Sequence, residues 1–121
     1  MPVAKGGTGA TTAASAFANI AVAASSLSAN GYIKLQNGLI IQWGKGAIQS
    51  NTDNPADAQT ITFPIAFPTA VFSVVLSTES SANVDGGWQA YSVGLSSFRA
   101  YFNKFEAGSG TGAPYWIAVG N

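Results

Sequence analysis

The sequence contains neither cysteine nor histidine. The first absence rules out a disulfide framework and thiolate chemistry. The second removes the commonest metal ligand and the commonest general base, and no metal or cofactor is expected. Ionised side chains are nearly as scarce. Basic and acidic residues number 5 each, so 8% of the 121 residues carry charge and the net charge is zero, against about 25% in an average domain. Five scattered cations make no basic stripe, which argues against nucleic-acid binding. No apolar run approaches the roughly 18 residues that would cross a bilayer. The N-terminus lacks the charged-then-apolar layout of a secretion signal, and membrane insertion is not expected. A neutral, charge-poor chain is a poor recipe for a lone soluble monomer. Much of its surface must be rich in hydroxyls and amides or covered by partner chains.

What is present falls into two parts, residues 1–30 and residues 31–121, within a length that suits one domain. Lys5, Gly6, Gly7, Thr8 and Gly9 open with a glycine cluster, which is no phosphate loop because no Lys-Ser/Thr follows at the required spacing. From Thr12 to Ala24 the chain is alanine-rich, with Phe17, Ile20, Ala24 and Leu27 spaced three and four apart. Alanine is the best helix former, and Thr11 or Thr12 can cap the start. Without charge, such a helix is marginal alone. Two readings stay open: a loose linker, or a short helix packed on its own copies around a symmetry axis.

Residues 31–44 organise the remainder. Asn37-Gly38 between two β-prone runs is a strong hairpin signal. A two-residue loop would mix polar and apolar residues on both faces. A three-residue loop, Gln36 to Gly38 with Gly38 left-handed, pairs Leu35 with Leu39 and Ile33 with Ile41. It gathers Ile33, Leu35, Leu39, Ile41 and Trp43 on one face, read as the core face, and Tyr32, Lys34, Ile40 and Gln42 on the other.

Further strands are expected over residues 59–63, 71–77, 88–95, 98–102 and 115–119, with polar loops between them. Pro64 and Pro68 punctuate a kinked edge. Residues 71–77 are apolar on both faces, which implies cover from both sides. Six or seven short strands with polar turns suggest a sandwich or compact barrel. An uncharged N-terminal segment, two-sided apolar strands and few charges all ask for partner copies. A closed cyclic arrangement would also hide edge strands.

Three literal runs carry a family resemblance: residues 5–14 (Lys5-Gly6-Gly7-Thr8-Gly9-Ala10-Thr11-Thr12-Ala13-Ala14), the hairpin 31–44, and the closing residues 115–121. They resemble, in the same order, segments near the C-termini of tailed-phage tail fibres. Gln36 stands where those proteins often have proline, and Phe17 where a basic residue is usual. The resemblance implies an all-β fold: a compact antiparallel β-sandwich knob over residues 31–121. An Ala/Gly-rich stalk over residues 1–30, helical on the sharper of the two readings, would precede it. It implies a homotrimer at the distal tip of a virion's tail fibre, assembled in the host cytoplasm with a dedicated chaperone. The partner implied is a host cell-surface glycan, most often lipopolysaccharide. R-type bacteriocin fibres are built alike, so either particle fits, and the chain is expected to be cut from a longer fibre.

A glycan site needs flat aromatic faces, with amide, hydroxyl and charged groups to fix the sugar. The patch expected from this pattern is Asn83, Asp85, Trp88, Tyr91, Arg99 and Tyr101. If Phe98 and Phe102 fill the core, Arg99 and Tyr101 point outward. Trp43 and Trp116 are assigned to the core. An enzymatic reading would start from Asp53 and Asp57 as an acid–base pair; solvated loop carboxylates are the plainer account, so no enzyme is expected. A structural connector without receptor contact is the third reading, disfavoured because shafts carry repeats.

Overall fold

The computed structural model describes Gly7 and residues 9–50, 55–80, 86–104 and 110–121. Along the chain these form α1 (Ala13–Ala21), β1 (Val22–Ser26), β2 (Gly31–Leu35), β3 (Ile40–Lys45), β4 (Gln49–Ser50) and a 3₁₀ turn at Pro55–Asp57. Then come β5 (Gln59–Thr62), β6 (Val71–Ser80), β7 (Gly86–Tyr91), β8 (Ser97–Lys104) and β9 (Thr111–Gly120). The fold is all-β apart from one short helix, and the pairings between these strands are antiparallel.

Two sheets stack face to face. The larger is organised around β9. Along residues 112–120 β9 pairs with β6, so β3, opposite residues 115–120, and β4, opposite residues 111–112, share its other edge. β2 and then β1 continue outward from β3. The smaller sheet has the order β5-β8-β7. Pro114 sits inside the long central strand, a rare place for proline. Its carbonyl accepts from Gly46 N–H at 2.8 Å. In an antiparallel strand a residue's N and C=O point to the same edge, so the missing N–H faces the break between β3 and β4, and no ladder bond to β6 is lost.

The hairpin has the expected register. Ile33 faces Ile41 and Lys34 faces Ile40, Leu35 N–H donates to Leu39 O at 2.8 Å, and Gly38 has φ +94°. Its two faces are swapped relative to the sequence reading. Ile40, Gln42 and Gly44 are buried against the smaller sheet, while Ile33, Ile41 and Trp43 are half-buried on the outward face. The cause lies in β9: Ile40 pairs with Gly120, Gln42 with Ala118 and Gly44 with Trp116, and Trp116 and Ala118 are core residues. Register and facing are separate questions, and the pairing with β9 decides the second.

The core is aromatic. Phe63 lies 5.0 Å from Phe67, 5.4 Å from Phe98 and 5.6 Å from Trp116, ring centre to ring centre. Ile40, Ile61, Phe102 and Ala118 close around them. Gln42, with none of its surface exposed, is the buried polar residue of this layer. Its Nε2 donates to Ile65 O at 2.8 Å, and its Oε1 accepts from Ile65 N–H at 2.9 Å. The amide therefore imitates a strand partner for segment 63–70, where the two prolines prevent a regular ladder. Phe63 N–H to Ser96 O and Phe67 N–H to Leu95 O tie the same segment to the connection between β7 and β8.

The sheet starts before the expected boundary at residue 31, because β1 pairs with β2, Ser25 opposite Ile33 and Ser26 opposite Tyr32. The alanine-rich segment is helical over Ala13–Ala21, and Thr12 Oγ1 caps it by accepting from Ser15 N–H at 3.1 Å. At its other end Gln36 N–H donates to Ala21 O at 2.9 Å, and Gln36 Nε2 reaches Asn19 O and Val22 O at 3.3 Å each. A proline at this turn position could not make the backbone bond. None of the helix residues is buried; Phe17 is 65% exposed and Ile20 60%.

Candidate functional site

Alternation along β7 and β8 sends Trp88, Ala90, Phe98, Ala100 and Phe102 inward and leaves Gln89, Tyr91, Arg99 and Tyr101 on the outer face of the smaller sheet. The register places Gln89 opposite Tyr101 and Tyr91 opposite Arg99, so these four form one diagonal cluster. The Tyr91 and Tyr101 rings meet edge to face at 5.8 Å. The Arg99 guanidinium lies 5.6 Å from the Tyr91 ring centre, and its Nη2 donates to Ala58 O at 3.0 Å. Tyr101 O–H donates to Gln89 Oε1 at 3.0 Å. Thr60 stands opposite Arg99 on the neighbouring β5 and Thr62 opposite Ser97, extending the face with hydroxyls. A rigid sheet thus holds two aromatic rings, a guanidinium, an amide and hydroxyls together, the groups that recognise a sugar.

Of the six residues read from the sequence, Tyr91, Arg99 and Tyr101 come together here. Asn83 and Asp85 lie outside the described residues. Trp88 is placed differently: it is 8% exposed and stacks on Phe102 at 5.0 Å and 10° between ring planes, so its faces are unavailable to a ligand. It shares the inward parity of Phe102, its partner across the ladder. Gln89 completes the cluster instead, and its even spacing from Tyr91 is the sequence signal for it. Of the candidate acid–base pair, Asp53 is outside the described residues. Asp57 is exposed, with its backbone carbonyl accepting from Gln49 Nε2 at 2.9 Å.

The outward face of the larger sheet is of opposite character. Val75 (63% exposed), Ile117 (52%) and Tyr115 line a shallow groove of about 550 Å³ together with Trp43 and Ser77. Trp43, expected in the core, belongs to this face. It packs over Gly31, where a Cβ would come within 2.8 Å of its ring, and its Nε1 donates to Ser28 O at 3.0 Å. Trp116 is in the core as expected. At the end of this face Lys45 pairs with Glu79, and its ammonium lies 5.2 Å from the Tyr115 ring centre. The hydrogen bond from Lys45, and then that from Tyr115, hold the Glu79 carboxyl below its ordinary pKa; the same bond to Glu79 raises Lys45.

The model of one family, described as the C-terminal region of putative tail fibre protein gp53-like, matches residues 34–121. The chain belongs to the gp53-like tail fibre C-terminal family. Solved structures agree. An N-truncated R2-type pyocin tail fibre is 28% identical with a TM-score of 0.66, matched over all of this chain and 47% of that one. An R1 pyocin fibre from P. aeruginosa is 28% identical with a TM-score of 0.64, over all of this chain and 34% of that one. An N-truncated R1-type pyocin tail fibre is 27% identical, also with a TM-score of 0.64, over 93% of this chain and 99% of that one. The chain thus spans less than half the length of the first two fibres. Among curated proteins none matches. This gp53-like domain is a component of a phage- or pyocin-type tail fibre, from a family of fibre proteins not known as enzymes. No helix among the described residues is long and apolar enough to cross a membrane.

Proposed function

We propose that this gp53-like domain is the distal tip of its fibre and adheres, as a homotrimer, to a glycan on the host bacterial surface, in the first instance lipopolysaccharide. One observation carries the reading: the two sheets present opposite outer surfaces. One bears Val75, Ile117 and the half-buried Trp43 around an apolar groove; the other bears Gln89, Tyr91, Arg99 and Tyr101. Scattered apolar residues on a surface are ordinary, but a contiguous apolar face on a charge-poor chain calls for cover. The uncovered helix α1 adds Phe17 and Ile20 to the surface that needs it. Three copies packed through the apolar side and the helices would leave the polar-aromatic sheets facing outward. Helix α1 would then form part of a short stalk, and a dedicated chaperone would shield the apolar faces before assembly.

Each site is shallow, so adhesion would draw on multivalency; three linked copies raise avidity by roughly 10²–10⁴ when geometry lets them engage together. Asn83 and Asp85, in the segment that precedes β7, remain candidates for the rim of the site. The test uses the purified protein. Light scattering reads its mass, and binding is measured to Gram-negative cells with complete and with truncated lipopolysaccharide. A trimer that binds the former and loses the latter supports the proposal. A stable monomer, or a trimer that binds neither, overturns it. The similarity to pyocin fibres makes a bacteriocin particle an equal setting for the same adhesion.

A further inference from the structure

We infer that the glycan taken by the smaller sheet is acidic, and that Arg99 receives its negative charge; the inference rests on the adhesive reading of this face. The argument starts from charge balance. Strands β5, β7 and β8 contain Arg99 and Lys104 and no aspartate or glutamate. Among the described residues the ion pair that forms is Lys45 with Glu79, on the other sheet. Arg99 is therefore a cation without a carboxylate partner there.

Its geometry is that of a receptor group and not of a loose surface arginine. Nη2 is fixed on Ala58 O, Nε is buried without a hydrogen-bond partner, and the guanidinium is held near the Tyr91 ring. The ordering cost of a long side chain has largely been met in advance. Nη1 has no hydrogen bond among the described residues, and it is not one of the buried unsatisfied atoms, so it reaches the surface as a donor. A neutral sugar hydroxyl gains little from such a group compared with water, whereas a carboxylate or phosphate oxygen forms the stronger, charge-assisted bond.

The neighbouring amide points the same way. Tyr101 O–H donates to Gln89 Oε1, and the Nε2 of the same amide adds two further N–H donors. The cluster accordingly offers the ligand a cationic donor and amide N–H donors beside hydroxyls and aromatic surface. A uronic or other carboxylated sugar and a phosphorylated sugar share the chemistry that fits.

The experiment is an array of bacterial oligosaccharides in neutral, carboxylated and phosphorylated forms, probed with the wild-type protein, Arg99→Gln and Arg99→Lys across a salt series. The expected result is selective binding of acidic glycans that weakens with salt. Arg99→Gln lowers it at least about tenfold, and Arg99→Lys retains part of it. The two acidic arms tell carboxylate from phosphate. Because Arg99 also anchors Ala58, melting of each variant is recorded. If Arg99→Gln does not fold, the wild-type salt series and Gln89→Ala carry the test. Equal binding of neutral and acidic glycans, insensitive to salt, overturns the acidic assignment and leaves adhesion standing. Absence of binding to every glycan overturns both.

Discussion

Replacing Gln42 by methionine keeps the length and apolar stem of the side chain but removes both of its hydrogen bonds. The Ile65 N–H and C=O, held by Gln42 at 2.9 and 2.8 Å, are then left in the core without partners. Each stranded backbone group costs about 1–3 kcal/mol. Relief from burying the amide itself offsets part of this, so a net loss of roughly 2–4 kcal/mol is expected. For a domain of this size that corresponds to a fall in Tm of about 6–15 °C, read by calorimetry at fixed protein concentration, since association shifts apparent stability. Gln42→Glu sharpens the test. A protonated carboxyl can donate to Ile65 O and accept from Ile65 N–H, as the amide does; an ionised one cannot donate and would be buried without a cation. Its folded-state pKa must therefore rise above the unfolded value of about 4.3. The folded state then binds more protons than the unfolded state between those two values, so stability falls as pH rises through that window. The variant should be most stable below about pH 4. A Gln42→Met protein that melts with the wild type, or a Gln42→Glu protein with pH-independent excess destabilisation, would refute the role given to this amide.

Gly38, at φ +94° with no atom within 4 Å of where a Cβ would stand, is required for its backbone alone. Gly38→Ala should cost about 1 kcal/mol and Gly38→Asn less, by denaturant midpoint. Ile117→Asp and Val75→Asp, on the outward apolar face, should abolish association while leaving the monomer's circular dichroism unchanged; a trimer by light scattering would contradict the proposed interface. Glu79 has a depressed pKa in the folded protein, so its contribution is present above its unfolded pKa and is lost as pH falls through the lower folded value. Lys45, raised by the same bond, contributes fully below its unfolded pKa and loses that contribution as pH rises through the folded one. Glu79→Gln should remove both dependences from a plot of Tm against pH, with only a small change at neutral pH because the pair is exposed.

Local chemistry was legible where it acts alone. The Asn37-Gly38 turn and its three-residue register, the Thr12 cap, the inward Phe98 and Phe102 and the outward Arg99 and Tyr101 all follow from spacing of a few residues. Facing was not legible. Alternation says which residues share a side, but a chain with apolar residues on both sides gives no sign of which side meets the second sheet. Ile40 and Gln42 went inward because β9 is the neighbour of β3, a pairing between elements far apart in the chain. Trp88 was misplaced for a related reason: a loop-flanking tryptophan looks available until its parity with Phe102 is known. Gln42 as a core residue is beyond pattern reading, since an amide is apolar neither by composition nor by period.

The junction between α1 and the sheet decides how the domain bears a pull. Tension arriving along the helix enters β1, which lies antiparallel to β2 and is joined to it from Val22 to Ser26. Force along that axis slides the two strands past each other, so the rungs between them resist together instead of parting one by one. Gln36, clasping the helix end at Asn19, Ala21 and Val22, reinforces the same junction. Tension drawn along β1 would thus strain several backbone bonds in parallel.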